Sequence, residues 1–383
     1  MADSSVAYAS GSERDDMPTV ADLVQALDAI APLGLAETWD NVGLLIGDPA
    51  SDVLRIMTCL TLTPESAGEA IEEGVSLIVS HHPVLFRPTQ RLTTATSEGR
   101  MLLAIIRAGI AVYSPHTAFD NAPGGINDTL AARLELNQVT PLRPAEAARE
   151  CKIVVFVPDA DLAGVSDALF AAGAGRIGQY RECSFRLAGT GTFFGEDAAN
   201  PTVGQKGRRE EVAEWRLEAI CPEVLVDQAV AAMRRAHSYE EPACDVYPLR
   251  PTPGGGAGRI GMLPKPASLE ALGRQVKNAL SASAVQTVGA TDRAVQRVAV
   301  ACGAAGSFIP DAVRRQVDAL LTGEVRFHEG LAAEAQGLAL VVAGHYATER
   351  CGVEDLASRL EASFPALSVW ASRRERNSLQ LAP

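Results

Sequence analysis

The 383-residue chain has no cysteine pair at C-x-x-C spacing. Its seven cysteines, Cys59, Cys151, Cys183, Cys221, Cys244, Cys302 and Cys351, are scattered and odd in number, which argues against a disulfide framework and against a thiolate zinc site. Cys59, Cys302 and Cys351 sit in or beside apolar runs and read as buried thiols. No apolar run reaches membrane-spanning length, and Met1 to Asp16 lacks the basic and apolar regions of a leader, so the chain is expected to stay in the cytoplasm. There is no basic excess either. The net charge of −13 disfavours nonspecific binding to nucleic acid or to an anionic membrane. Basic spots such as Lys206-Gly207-Arg208-Arg209 and Arg373-Arg374-Glu375-Arg376 are flanked by acids and read as solvated surface. G-x-x-x-x-G-K-[ST], H-E-x-x-H and G-x-S-x-G are all absent. Two stretches do match G-x-G-x-x-G, Gly173 to Gly178 and Gly256 to Gly261, but neither has a strand before it and a helix after it. Both read as turns.

What is present is an ordinary globular composition, 47% hydrophobic and 21% charged, in a chain long enough for two or three cores. Residues 1–17 are small and polar and read as a disordered tail. From Thr19 an amphipathic helix places Val20, Leu23, Val24, Leu27 and Ile30 at helical spacing. Strand-like Ile56 to Leu60, Val75 to Val79 and Ile110 to Tyr113 then alternate with helices Pro64 to Glu73 and Gly99 to Ala108, the rhythm of a parallel sheet covered by helices. Pro141 to Glu150 reads as a linker, and Pro251 to Gly256 as a second one. Between them strand Lys152 to Val157, helix Asp161 to Ala172, strands Ser184 to Thr192 and Glu214 to Ile220, helix Pro222 to Ala236 and strand Cys244 to Leu249 follow the ferredoxin-like order. The α/β rhythm then resumes, with strands at Arg297 to Cys302, Ala319 to Thr322 and Ala339 to Ala343 and a helix from Glu324 to Ala335. The expected organisation is an α/β lobe over 18–145, an inserted ferredoxin-like α+β domain over 146–253 and a second α/β lobe over 254–383.

Histidine is scarce, and two of the six histidines, His81 and His82, are adjacent at the C-terminal end of the apolar run Val75 to Ser80. Ligands bind at strand C-termini in open α/β sheets. Neighbouring side chains there diverge, so two imidazoles reach two neighbouring metals better than one. Taken alone, the pair also fits a turn cap before Pro83 plus a surface residue. Three further pairs at i,i+4 spacing follow three further strands: His116 with Asp120, Glu324 with His328, and His345 with Glu349. Ordinary core or surface histidines have no reason to recur at four strand ends. His237 with Glu240 and Glu241 lies in the insert and reads as a turn or interface.

The segments Trp39-Asp40-Asn41-Val42-Gly43-Leu44, Ser80-His81-His82-Pro83, His116 to Asp120, Thr322-Gly323-Glu324 and Gly344 to Glu349 resemble the Nif-three-like family over about Pro18 to Val369. Members are often named GTP cyclohydrolase I type 2 homologs. Gly173 to Gly178, Asn200-Pro201, His237 to Pro242 and Asp245 to Leu249 are similar to the family's middle domain, which implies a PII/CutA-like fold for the insert. The chain departs from the family at Ser238, where Pro is usual, and in Ala301 to Gly306, which lacks a second consecutive glycine. The resemblance implies two metals held by His81, His82, Asp120, His345 and Glu349, with Glu349 bridging and with His116 and Glu324 beside the site, supporting the ligands or handling protons. It also implies a toroidal homohexamer with the metal sites facing inward. Trp39 is expected to pack under the site, with Asp40 and Asn41 holding the ligand loops.

Imidazole and carboxylate ligands suit divalent zinc, iron, manganese or nickel. Two such ions would bridge a water and offer hydroxide at neutral pH, so the expected function is a metal-dependent hydrolase of a nucleotide-like substrate. His116 or Glu324 would move protons. The competing reading is a non-catalytic metal-binding or regulatory scaffold whose insert senses an effector.

Overall fold

The computed structural model describes residues 17–145, 149–178, 180–250 and 255–380. The expected tail therefore lies outside the described residues, apart from Met17, as do Pro251 to Gly254 of the second linker. The chain forms two compact units, one of residues 1–145 and 254–383 and the other of residues 146–253. Among the described residues no helix is long and apolar enough to cross a membrane.

The larger unit begins with α1 (Val20–Ile30), β1 (Gly43–Ile46), β2 (Arg55–Cys59), α2 (Pro64–Glu72), β3 (Leu77–Ser80), α3 (Ser97–Arg107), β4 (Ala111–Ser114), α4 (His116–Asn121), α5 (Ile126–Arg133) and β5 (Asn137–Pro144). The smaller unit follows as β6 (Glu150–Val157), α6 (Leu162–Ala171), β7 (Phe185–Phe194), β8 (Arg209–Pro222), α7 (Val226–Ala236) and β9 (Cys244–Pro248). The chain then returns to the larger unit as β10 (Gly256–Ser268), α8 (Leu269–Ala279), β11 (Gln286–Val288), β12 (Ala294–Ala304), α9 (Ile309–Arg314), β13 (Ala319–Glu324), α10 (Phe327–Ala335), β14 (Ala339–Val342), α11 (His345–Ser363) and β15 (Ser368–Ala371).

Helix starts are written locally. Thr19, Thr63, Thr96 and Ser268 each accept a backbone N–H of the first turn, and Pro64 occupies the first helical position, where its missing N–H costs nothing. The larger unit carries two sheets. In the first, ordered β1-β4-β3-β2-β15, the last four strands are parallel and β1 is antiparallel. In the second, ordered β11-β14-β13-β12-β10-β5, the parallel centre of β14, β13 and β12 is flanked by antiparallel strands. Helix α11 joins them. Its Leu356 and Leu360 enter the core of the first sheet, and its Cys351 enters that of the second.

Two expectations are corrected at the point where the insert begins and ends. Pro141 to Pro144 is not linker but the end of strand β5, and Gly256 to Gly261 is not a turn but the start of β10. These strands pair antiparallel, Gly256 opposite Pro144, and β5 is the sheet edge, where prolines are tolerated because among the described residues no strand takes up its second side. The glycines let the two backbones approach: a Cβ on Gly256 would lie 2.5 Å from the Arg143 carbonyl oxygen, and one on Gly261 would lie 2.7 Å from the Leu136 Cβ. Leaving and re-entering at adjacent, paired positions lets an insertion sit there without breaking the sheet.

In the smaller unit the strands run β7-β8-β6-β9, all antiparallel, with α6 and α7 on one face, their Leu169 and Met233 sharing a core with Ile153 and Val155 of β6. The helix expected from Pro222 begins only at Val226, because Glu223–Leu225 forms a 3-10 turn first.

Candidate metal centre

The C-terminal ends of the parallel strands of both sheets meet in one cleft of about 520 Å³. His81 and His82 follow β3. Their N–H groups donate to the Cys59 and Leu60 carbonyls at 2.9 and 2.8 Å, and their own carbonyls accept from the Ser114 and Ser80 hydroxyls at 2.7 and 2.8 Å. The backbone is thus pinned on both sides while the two rings diverge, their centroids 5.2 Å apart. His116 opens α4 with φ of +30°, a backbone conformation rarely adopted by residues other than glycine. Its Nδ1 is 2.7 Å from an Asp40 carboxylate oxygen, and the other oxygen accepts the Thr117 N–H and hydroxyl. Asp120 follows one turn later, 3.5 Å from His81 Nε2.

The second sheet contributes His345 and Glu349 from α11, whose first turn follows Gly344 at φ of +91°. One Glu349 oxygen lies 3.0 Å from both His82 Nε2 and His345 Nε2. Glu324, at the end of β13, is 3.3 Å from His345 Nδ1. Two groups of potential ligand atoms result, His81 with His82 and His116, and His82 with His345 and Glu349, each within 4.8 Å internally. His82 belongs to both.

The donor set fits a cation on independent grounds. Both ring nitrogens of buried His81 lack a hydrogen-bond partner, and His345 Nε2 approaches Glu349 without hydrogen-bond geometry. Buried polar atoms are otherwise paired, so lone pairs converging on a common space are what an ion would satisfy.

The electrostatics agree. Burial drives the His81 imidazole well below its ordinary value, keeping it neutral and available as a donor. Burial opposes ionisation of Glu349, but its contacts with His345 and His82 prevail and hold the carboxyl far below the usual carboxylate range. The Glu349 contact, against the effect of burial and with help from Glu324, raises His345 to about 9. Burial and the nearby Glu349 charge push Asp120 up to about 7. For Asp40, burial is outweighed by the His116 and Thr117 hydrogen bonds, which hold it at about 2. His116, itself disfavoured as a cation by burial, is raised by Asp40 and Asp120.

Several site readings change. His116 lies with His81 and His82 in one group of potential ligand atoms. The expected pair of Glu324 and His328 does not form: His328 is exposed on α10 and Glu324 turns to His345, because β13 runs on to Glu324 and the helix begins only at Phe327. Trp39 does not pack beneath the site but stands 61% exposed at the rim, edge-on to Phe86 and His116. Asp40 holds His116, and Asn41 donates to the Leu85 carbonyl at 2.6 Å, fixing the loop after the histidine pair. Cys302 lies at the cluster, its thiol donating to Asp120 at 3.2 Å. Buried His237 shapes a turn, with Nε2 3.0 Å from the Phe156 carbonyl oxygen and Nδ1 accepting the Tyr239 N–H.

Sequence reasoning missed Gly303. It has φ of +61°, and a Cβ there would lie 2.3 Å from a Glu349 oxygen. A glycine late in an apolar strand was the available signal for such a close approach.

Mixed α/β architecture with a His/Glu cluster at converging strand ends defines a class of proteins equipped to hold metal in a cleft. Residues 18–378 match the family Duf34/NIF3 (NGG1p interacting factor 3), and the chain belongs to that family. Among relatives named GTP cyclohydrolase 1 type 2 homolog, the Listeria monocytogenes protein is 40% identical over 83% of this chain and 86% of its own length. The Mycobacterium tuberculosis protein of the same name is 38% identical over 90% and 93%. Among solved structures, a Bacillus cereus protein related to NIF3 superposes with a TM-score of 0.72 at 33% identity, covering 96% of this chain and all of the other.

Proposed function

We propose that this protein is a dinuclear metal-dependent hydrolase of a nucleotide-like substrate, with two divalent ions of zinc, iron, manganese or nickel held by His81, His82, Asp120, His345 and Glu349. The carrying observation is the single Glu349 oxygen 3.0 Å from both His82 Nε2 and His345 Nε2, with His82 shared between two ligand groups. Bound divalent ions would supply Lewis acidity and lower the pKa of water.

The chain's own residues do the rest. Asp40 holds His116 through Nδ1, which leaves Nε2 to take up or return a proton in the cleft. Glu324, half exposed beside His345, exchanges protons with solvent. Trp39 and Phe86 at the rim offer flat apolar faces to a base. The relatives' name makes opening of a purine at C8 the first reaction to test. The smaller unit, by its strand order, is read as a ferredoxin-like module, and the assembly as a toroidal homohexamer, which light scattering tests.

The deciding experiment measures metal by mass spectrometry on protein purified without chelator, then formate release from GTP. The expected result is about two ions per chain, with turnover about 100-fold lower in His116→Ala and Glu324→Gln at unchanged occupancy. A protein that binds no metal sinks the hydrolase and leaves the scaffold. Metal without formate release removes GTP as substrate.

A further inference from the structure

The smaller unit has a cleft of its own, of about 590 Å³, within the range of small-molecule sites. It lies on the sheet face turned away from α6 and α7, between the β7–β8 hairpin and the segments 199–203 and 239–243. Two glycines form its floor. Gly189 stands opposite Glu214 in the β7–β8 register, and a Cβ there would meet nothing within 4 Å. A Cβ on Gly191 would strike a Glu214 carboxylate oxygen at 2.0 Å, so this glycine lets the carboxylate lie flat over the sheet. Apolar walls come from Phe156, Leu187 and Phe194, the last two more than half exposed.

The charges decide what fits. Arg216 is already engaged: its guanidinium lies over Phe156 and its Nε donates to Glu218 at 2.7 Å. Glu240 accepts the Asn200 N–H, while Glu214 has no ion pair among the described residues. Tyr239 contributes a buried hydroxyl that faces the Glu214 carboxylate without forming a hydrogen bond of normal geometry to it. With Glu214, Glu240 and Glu241 lining it, the cleft repels phosphates and carboxylates and attracts cations.

We propose that this cleft binds a small amphipathic organic cation, a ring carrying a protonated amine, with the ring over Gly189 against Leu187 and the ammonium on Glu214. Apolar walls beside one unpaired carboxylate are the two halves of such recognition, and aromatic faces add cation–π attraction. The proposal is independent of the metal cleft.

The test uses the full-length protein and three indoles of one ring and different charge: tryptamine, tryptophol and indole-3-acetate, each titrated by saturation-transfer NMR and calorimetry. The expected order is tryptamine first, about tenfold ahead of indole-3-acetate. Glu214→Gln should abolish that preference. Gly189→Leu, which extends into open space on an exposed strand position and so leaves folding intact, should abolish binding of all three. Glu349→Ala should leave tryptamine binding unchanged. Equal binding of the three indoles, or full binding by Gly189→Leu with an unchanged melting profile, would overturn the proposal. Loss of binding in Glu349→Ala alone would place the amine in the metal cleft and overturn it equally.

Discussion

The two sheets of the larger unit contribute to the cluster in different ways. The first supplies imidazoles on pinned backbone, each with a supporting partner: Ser114 at the His81 carbonyl, Thr61 at His82 Nδ1 and Asp40 at His116 Nδ1. The second supplies the most strongly ionised carboxylate, Glu349, from a helix packed against both cores, whereas the first sheet's Asp120 is pushed up to about 7. His345 and Glu324 on that side are more open, at 32% and 48% side-chain exposure, against 2% for His81. Rigidly held imidazoles set where a cation can sit, and the buried Glu349 carboxylate makes that place attractive. Docking of α11 onto both sheets is therefore the step that completes the site.

The most direct way to break this division is to remove the charge. Glu349→Ala deletes the group that both His82 and His345 approach, and metal affinity should fall by well over about 100-fold, beyond the effect of losing a supporting partner. Gly303→Ala should approach the same loss without touching a ligand, because its methyl would occupy the carboxylate's position and its φ of +61° disfavours any side chain. Metal content by mass spectrometry reads both. A Gly303→Ala protein with full occupancy would show that Glu349 has freedom to move.

Proton competition sharpens the contrast further. His345, raised to about 9 by Glu349, carries a proton at neutral pH, and metal must displace it, whereas His81 is neutral already. Affinity should therefore climb about tenfold per pH unit from 6.5 towards 9 for that one proton, as calorimetry in several buffers can follow. The metal-free protein should show the opposite trend. A histidine raised from 6.5 stabilises the fold fully below 6.5 and loses that contribution as pH rises through about 9. Metal affinity independent of pH over this window would mean that His345 is not a ligand.

Much of this was legible beforehand. The parallel strands and their helices announced themselves through apolar runs and helical spacing, and the ligand candidates through their recurrence at strand ends. What escaped were the antiparallel edge strands β5 and β10, whose prolines and glycines mimic linker and turn although a neighbouring backbone uses them. Trp39 escaped as well, since nothing local distinguishes an aromatic at a cleft rim from one in a core. Gly303 faces Glu349 and Thr61 reaches His82 only through tertiary approach, which no periodicity encodes.

The smallest effects test the supporting partners against each other. Asp40 is ionised, has a fully buried side chain and holds His116 while also accepting from Thr117, so no water can take its place. Asp40→Asn should cost about 10–100-fold in turnover, because it removes the carboxylate that orients the proton-handling His116 beside the metal ligands. Thr61 makes an equally short contact, 2.7 Å from His82 Nδ1, but from an exposed position. In Thr61→Val a water can accept the imidazole N–H instead, and the expected loss is only about threefold. Measuring both variants at one pH tests whether burial, rather than contact distance, sets the value of a supporting hydrogen bond. If Thr61→Val proved as damaging as Asp40→Asn, the threonine would be fixing the His82 ring in a way that solvent cannot, and the first sheet's rigidity would depend on its surface as much as on its core.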